Sequence, residues 1–574
     1  KPDYTAEDLY DLVLDHLDEI SGVVLYHDRL VGADMLGKGN YGAIYSDVAL
    51  LNLTVMMCGQ YNAIAVTSRQ YNALREAVAA EGLVMEEVLP ILGDTTKFMK
   101  LDAEGEIDGS AASRMDSGVW TRVYEYALSK FDCSNKALVH NPGLQAATFD
   151  YAIQNKLFVY NRSLSTGSAG NASEAENQLE DDILAVTDLN TPVLGVWYLH
   201  LDEANYVNYL TGMGKSFCVS YESFNWSWST GLPYETIETN EEEIEYDPEK
   251  IYLAFSFTEG DNNSYVHFKM PTLFDSSYRG QVPFSWTISP TTWETNPNMI
   301  RYFSMNWAKG DGLCIPEAGP VYVDPAPPEN TEADFYALCD EYVKRIGNGN
   351  IRTLKADFVD ALAYAEHMEN LDSLLCSYGI GVSNNVELNT EAQDFLFRGV
   401  PYIMQLDGRN VYDTMKYIED AGKQFYSISY SGWEHTLENV SDLMETLDER
   451  FVVVTQKQLA QLYRDAYAGD FGQVTEADFT PDMNRTEMGF LWQADSYGDY
   501  DSMRQVRYAN GEDSFRYRFE LADGVTEAVF DLSLSGNYTV EMSTDNCKFY
   551  EVATGSAGSQ QNVRVEVPSI RPFV

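Results

Sequence analysis

Between residues 251 and 455, eight short apolar runs follow one another, most of them separated by helix-period stretches. The runs cover 251–257, 282–288, 312–315, 351–354, 374–378, 400–406, 424–430 and 451–455. Helical spacing marks 297–307, 331–345, 357–368, 411–421, 437–447 and 457–466. The runs are short and rich in β-branched and aromatic residues, so they read as strands. Parallel strands need a crossover connection, usually a helix, whereas antiparallel strands need only a turn. The alternation therefore predicts a parallel sheet, and eight repeats predict a (β/α) barrel-like domain over residues 250–470. An open doubly wound sheet is the competing arrangement.

Residues 1–240 carry a second set of short apolar runs, at 63–67, 137–140, 157–160, 191–199 and 217–221, with helical stretches between them. This predicts an N-terminal α/β region of one or two subdomains. An acidic stretch, 235–249, separates it from the barrel and reads as a solvated linker. Residues 475–574 change character: 515–521 and 530–534 alternate strictly, and turn pairs such as Gly536-Asn537 punctuate them. Period two with frequent turns predicts a β-sandwich, one that is incomplete or binds carbohydrate. The fold class expected is thus α/β multidomain.

Charge excludes whole classes of partner. Thirty-eight Lys and Arg stand against 89 Asp and Glu, a formal net charge of −51. Such a surface repels phosphate backbones and anionic lipid, so no nucleic-acid partner is expected. The most apolar run, 48–58, is interrupted by Asn52 and Thr54 and is too short to span a bilayer. The chain begins at Lys1, so an upstream piece is expected to be missing. A secreted or cell-surface bacterial monomer is the expectation. Seven Cys without a CxxC pair argue against a disulfide scaffold or zinc ribbon.

Familiar cofactor and metal motifs fail on context. Gly37-Lys-Gly39-Asn-Tyr-Gly42 fits GxGxxG, but no strand precedes it and no acid follows at the right distance. The seven His include neither HExxH nor HxxxH, so no metal site is expected and no cofactor is needed.

Acids just beyond the strands carry the chemistry. In a barrel, residues after the C-terminal strand ends face the site. The first strand runs into Glu259 and Asp261, the third into Glu317, the sixth into Asp407 and the seventh into Glu434. Hydrolysing a glycosidic bond needs two such acids: one protonates the leaving oxygen, the other attacks or activates water. Trp286, Tyr322 and Trp433 are placed to stack on a sugar ring, and Asn262, Arg409 and His435 to hydrogen-bond it. Carbohydrate is the expected substrate.

Several segments resemble the GxGYxYP family of gut and soil bacteria. Leu253-Ala-Phe-Ser-Phe-Thr-Glu-Gly-Asp-Asn262 is similar to a stretch ending in SDGDN. Arg279-Gly-Gln-Val-Pro-Phe-Ser-Trp-Thr-Ile-Ser-Pro290 is similar to RG-x-x-P-x-x-W-x-x-SP. The naming motif, PSGAGYxYP, corresponds to Pro316-Glu-Ala-Gly-Pro-Val-Tyr-Val-Asp-Pro325, where only Tyr322 and Pro325 align. The resemblance implies an α/β N-terminal region before a barrel-like domain with sugar-cleaving activity. It places Glu259, Asp261, Asn262, Trp286 and Tyr322 on family positions, with Glu259 where the family has Asp. Glu317, Asp407 and Glu434 rest on strand-end placement alone. Two other readings stay open: a glycan-binding or scaffolding protein with a dead cleft, and a carbohydrate deacetylase.

Overall fold

The computed structural model describes residues 14–26, 45–67, 76, 79–80, 117–132, 136–139, 148–161, 174–196, 203–220, 223–258, 261–316, 322–323, 332–354, 358–377, 394–408, 410–471, 490–494, 499–501, 506–508, 514–519, 528–543 and 548–567, apart from isolated positions within them. Two compact units divide the chain. One comprises Lys1–Asp394 with Val400–Arg464, the other Phe395–Gly399 with Asp465–Val574. The GxGxxG-like loop at 37–42 lies outside the described residues.

The first unit opens with two parallel strands, β1 (Gly22–Tyr26) and β2 (Ala63–Thr67). A four-stranded parallel sheet follows, made of β3 (Ala137–Val139), β4 (Phe158–Tyr160), β5 (Pro192–Gly195) and β6 (Ser216–Val219) in the order β4-β3-β5-β6. All four strands are buried along their length, as expected of a parallel sheet covered on both faces. Helix Tyr45–Tyr61 packs on this region, burying Leu53, Met56 and Met57.

The alternating half forms a nearly closed parallel barrel. Its strands are β7 (Ile251–Thr258), β8 (Phe284–Thr287), β9 (Asp311–Cys314), β10 (Asn350–Leu354), β11 (Ser373–Ser377), β13 (Val400–Asp407) and β14 (Phe425–Ser431), β12 being the short Phe395–Phe397 of the second unit. Hydrogen bonding runs β10-β11-β13-β14-β7-β8-β9. A single parallel bridge, Ile315 to Ile351, joins the two ends. There Ile315 N donates to Asn350 O at 2.8 Å and Arg352 N to Ile315 O at 2.8 Å.

The eighth strand, β15 (Phe451–Val454), departs from an ideal eight-stranded ring. It pairs with β7 at residues 251–254, while β8 meets β7 only at Ser256. Thus β15 wedges into the lower half of the β7–β8 seam, and seven strands close the upper half. Gly312 on β9 is required here: a Cβ would lie 2.8 Å from Thr455 Cβ and 2.9 Å from both Glu241 Oε1 and Ser285 Oγ.

Glu241 corrects the reading of 235–249 as a merely solvated linker. Its side chain is only 7% exposed, with Lys457 Nζ at 3.9 Å. Neighbouring Glu242 holds Lys309 at 2.9 Å, and its carbonyl accepts from Gln458 Nε2 at 2.7 Å. The stretch is charged outward but strapped to the base of the barrel.

The second unit also differs from expectation. Its described strands form three separate two-stranded antiparallel ladders: β16 (Leu491–Ala494) with β19 (Phe515–Tyr517), β17 (Asp499–Asp501) with β18 (Val506–Tyr508), and a long hairpin of β20 (Ala528–Met542) with β21 (Tyr550–Val567). Among the described residues no two-layer sandwich forms. Among them, too, no helix is long and apolar enough to cross a membrane. Cys58, Cys218, Cys314, Cys339 and Cys376 are all free and buried.

Candidate active site

Two faces alternate along every barrel strand, and the sequence sorts them by size. Phe255-Ser256-Phe257-Thr258, Phe284-Ser285-Trp286-Thr287 and Tyr426-Ser427-Ile428-Ser429-Tyr430-Ser431 pair a large residue with a small hydroxyl. The large residues point outward onto the helices. Phe257 and Phe284 rings lie 4.7 Å apart, and Phe274, on helix Met270–Phe274, meets Trp286 at 5.1 Å and Phe303 at 5.0 Å. The small residues point inward.

The barrel interior is therefore polar where many barrels are filled with branched aliphatics. Gln405 on β13 donates to Ser256 Oγ at 3.3 Å and Ser427 Oγ at 3.0 Å. Its carbonyl accepts from Arg352 Nε at 2.8 Å. Gln456, just past β15, closes the floor by donating from Nε2 to Ser427 Oγ at 2.8 Å and from its backbone N–H to Ser285 Oγ at 2.9 Å. Arg352 is fully buried, and its guanidinium stays charged at every working pH. Cys314 beside it is an inert thiol: burial pushes it up to about 12, against the pull of Arg352.

The strand ends order the sequence-predicted acids. Asp407, the last residue of β13, is in register with Ser429 of β14, and Ser431 of β14 is in register with Thr258 of β7. Gly408 N donates to Ser429 O at 2.8 Å, and Thr258 Oγ1 to Tyr430 O at 3.3 Å. Neighbouring strands run about 4.8 Å apart; β7 and β14 end level with each other, and β13 ends two residues short of them. Asp261 lies three residues past Thr258, half-buried, its carbonyl accepting from Tyr265 N at 3.1 Å. Glu434 lies three past Ser431 and is exposed. His435 Nδ1 donates to Ser431 O at 3.2 Å, which leaves Nε2 as the acceptor of the neutral ring. Trp433, in the same turn, is partly exposed. Asn262 opens the helical turn Asn262–Ser264.

Two aromatic assignments are corrected. Trp286 is fully buried on the outer face of β8, where its indole N–H donates to Asp311 Oδ1 at 2.9 Å. Arg279 Nε donates to Asp311 Oδ2 at 2.9 Å, and the guanidinium lies 3.4 Å above the Phe274 ring. The Arg279 and Trp286 of the RG…W segment thus meet on one buried carboxylate and hold β8 to β9. Tyr322 is 8% exposed; it bridges Phe217 of β6 by backbone bonds of 2.8 and 3.0 Å and packs in the N-terminal core. Neither offers a ring face to a ligand. Glu259, Glu317 and Arg409 lie outside the described residues.

Sequence reasoning missed the residue that anchors the Asp261 loop. Asn263 is buried two residues later; its Nδ2 donates to Thr295 Oγ1 at 2.9 Å and to Cys218 Sγ at 3.1 Å. Its Oδ1 accepts from Thr292 Oγ1 at 2.7 Å. Cys218 belongs to β6, so the N-terminal sheet and the barrel share this knot. Nearby, Lys136 pairs with Glu294 at 3.5 Å; burial pulls its pKa down, but Tyr151 and Glu294 outweigh that and raise it. The only local signal was the Ser/Thr/Asn-rich stretch 289–296 after β8.

Comparisons with known proteins agree with this architecture. Residues 249–464 match the domain described as "GxGYxYP putative glycoside hydrolase C-terminal domain", and residues 136–231 match "GxGYxYP third domain". A crystal structure described as a putative hydrolase from Bacteroides thetaiotaomicron VPI-5482 superposes with a TM-score of 0.57 at 19% identity, covering 80% of this chain and 83% of that one. At that identity the likeness speaks for the fold. No curated protein matches the chain.

Proposed function

Because the chain belongs to the GxGYxYP family, we propose that it is a glycoside hydrolase acting at the C-terminal mouth of its barrel. The catalytic pair is drawn from Asp261, Asp407 and Glu434, with Glu259 and Glu317 as further candidates from the sequence. One observation carries the reading: β13, β14 and β7 are adjacent and in register, so their acid-bearing loops leave the barrel side by side.

Spacing supports it. The strands that carry these acids run about 4.8 Å apart when adjacent and about 9.6 Å apart when alternate. Glycosidase acid pairs sit about 5–5.5 Å apart when a covalent intermediate forms, and about 6.5–9.5 Å when water attacks directly. In this scheme Asp261, the less exposed, protonates the leaving oxygen, and Glu434, open to water, supplies the attacking side. His435 and the partly exposed hydroxyls of Thr258 and Ser431 at the strand ends supply hydrogen bonds to sugar hydroxyls. The scheme calls on no cofactor, and the acidic surface suits a secreted or surface-displayed monomer.

The test is turnover on a panel of poly- and oligosaccharides by the wild type, Asp261→Asn, Asp407→Asn, Glu434→Gln and Glu317→Gln. Loss of about 10²-fold or more in at least two variants with intact folding supports the pair. Undiminished turnover in all four discards the site. Tight binding with no turnover by the wild type would assign the mouth to glycan capture instead.

A further inference from the structure

We infer that the turn after β7 carries a sugar-ring platform, Phe268 with Trp433, that binds a neutral oligosaccharide beside the acids. The inference deepens the proposed function and rests on its reading of the barrel mouth as a carbohydrate site. Past Asp261 the chain forms no ordinary helix: Asn262–Ser264 are α-helical, Tyr265–Lys269 make a π-helical turn, and Met270–Phe274 return to α. Pro271 gives the local cause, since it lacks an N–H and crowds the carbonyl four residues back, at His267. π-Turns are rare and occur frequently at functional sites.

The turn has a specific product. Phe268 is left 54% exposed, and its ring stacks against Trp433 with centroids 6.3 Å apart and planes 28° apart. Trp433 comes from the turn after β14, the strand paired with β7. Fully buried Tyr265 meets the indole edge-on at 6.4 Å and 71°, fixing it from within. The two rings, one on the helical turn that follows Asp261 and one in the turn after β14 that holds Glu434, are therefore stacked together before any ligand arrives.

The chemistry selects the occupant. A pyranose has an apolar C–H face that covers aromatic carbon, while its hydroxyls at the rim meet carboxylates and His435. The exposed Phe268 ring, backed by the indole, offers its face to a sugar ring beyond the one being cleaved, which points to an oligosaccharide. The net charge of −51 disfavours uronic or sulfated chains, so a neutral glycan is the class.

The test is titration calorimetry of the full chain carrying Asp261→Asn, which prevents consumption of ligand. The probes are cellohexaose, xylohexaose, mannohexaose, maltohexaose, laminarihexaose and chitohexaose, with hexagalacturonate as the anionic control. The platform requires that at least one neutral hexasaccharide binds, that added Phe268→Ala weakens it by about tenfold or more, and that Phe268→Tyr restores it. Because Phe268 is exposed, its thermal midpoint serves as the folding control. Binding of none of the neutral probes, binding unaffected by Phe268→Ala, or tighter binding of hexagalacturonate overturns the inference. Intact binding with a wild type that hydrolyses nothing counts against the catalytic reading alone.

Discussion

Trp286→Phe separates a structural tryptophan from a ligand-stacking one. The substitution keeps an aromatic ring between Phe257, Phe274 and Phe284, whose centroids lie 5.1–5.9 Å from that of Trp286. It removes the 2.9 Å indole N–H bond to Asp311 Oδ1, whose side chain is only 3% exposed. A hydrogen bond to a charged group contributes about 1.5–3 kcal/mol. The smaller ring adds about 1 kcal/mol for the space it leaves. The expected loss is therefore about 2.5–4 kcal/mol. Large cooperative units shift by about 2 °C per kcal/mol, so the thermal midpoint falls by about 5–8 °C. Differential scanning calorimetry measures the shift, and binding of the best hexasaccharide by the folded protein is expected to be unchanged. An unaltered midpoint together with lost glycan binding would refute the reasoning and return Trp286 to the site.

Three further outcomes are expected. Gln405→Leu strips partners from Arg352, Ser256 and Ser427 at the barrel centre, and should cost about 2–4 kcal/mol in denaturant titration. Asn263→Ala removes three buried bonds. It should speed amide exchange at residues 261–265 and in β6 together, whereas faster exchange on one side only would show that the knot does not couple them. Glu241→Gln tests the buried strap: burial, against weaker opposing pulls from Thr455, Lys457 and Thr239, raises the Glu241 pKa above 4.5. The folded state then holds the proton more tightly than the unfolded one. Protonation adds stability as pH falls through the folded pKa, and above it the buried charge is a penalty. The variant should be more stable than the wild type at neutral pH, with the gap closing towards acid; a gap that widens on acidification would contradict the sign.

How far the sequence could be read depended on how local the information was. All eight barrel strands fell where apolar runs predicted them, because each run is a short local signal and most are bounded by helices. The wedge of β15 beside β7 was not legible: Phe451–Val454 looks like any closing strand, and its partner lies some 200 residues away. Trp286 was misread although its direction was within reach. Ser285 and Thr287 alternate with it, and small hydroxyls on one face mean large rings on the other. Tyr322 was beyond such logic, since its place is set by Phe217 in a different sheet. In the second unit, alternation announced strands but could not say how many would share a sheet. The acids after β7, β13 and β14 were found by counting from strand ends, whereas the anchor Asn263 is fixed by contacts remote in sequence.

The most direct test of the account is a crystal structure of the Asp261→Asn protein soaked with the tightest-binding neutral hexasaccharide. The account requires a glycosidic oxygen between the loops that follow β7 and β14, with residue 261 and a second carboxylate about 5–9.5 Å apart on either side of it. A sugar seated elsewhere, or these acids turned into separate patches of solvent, would contradict it.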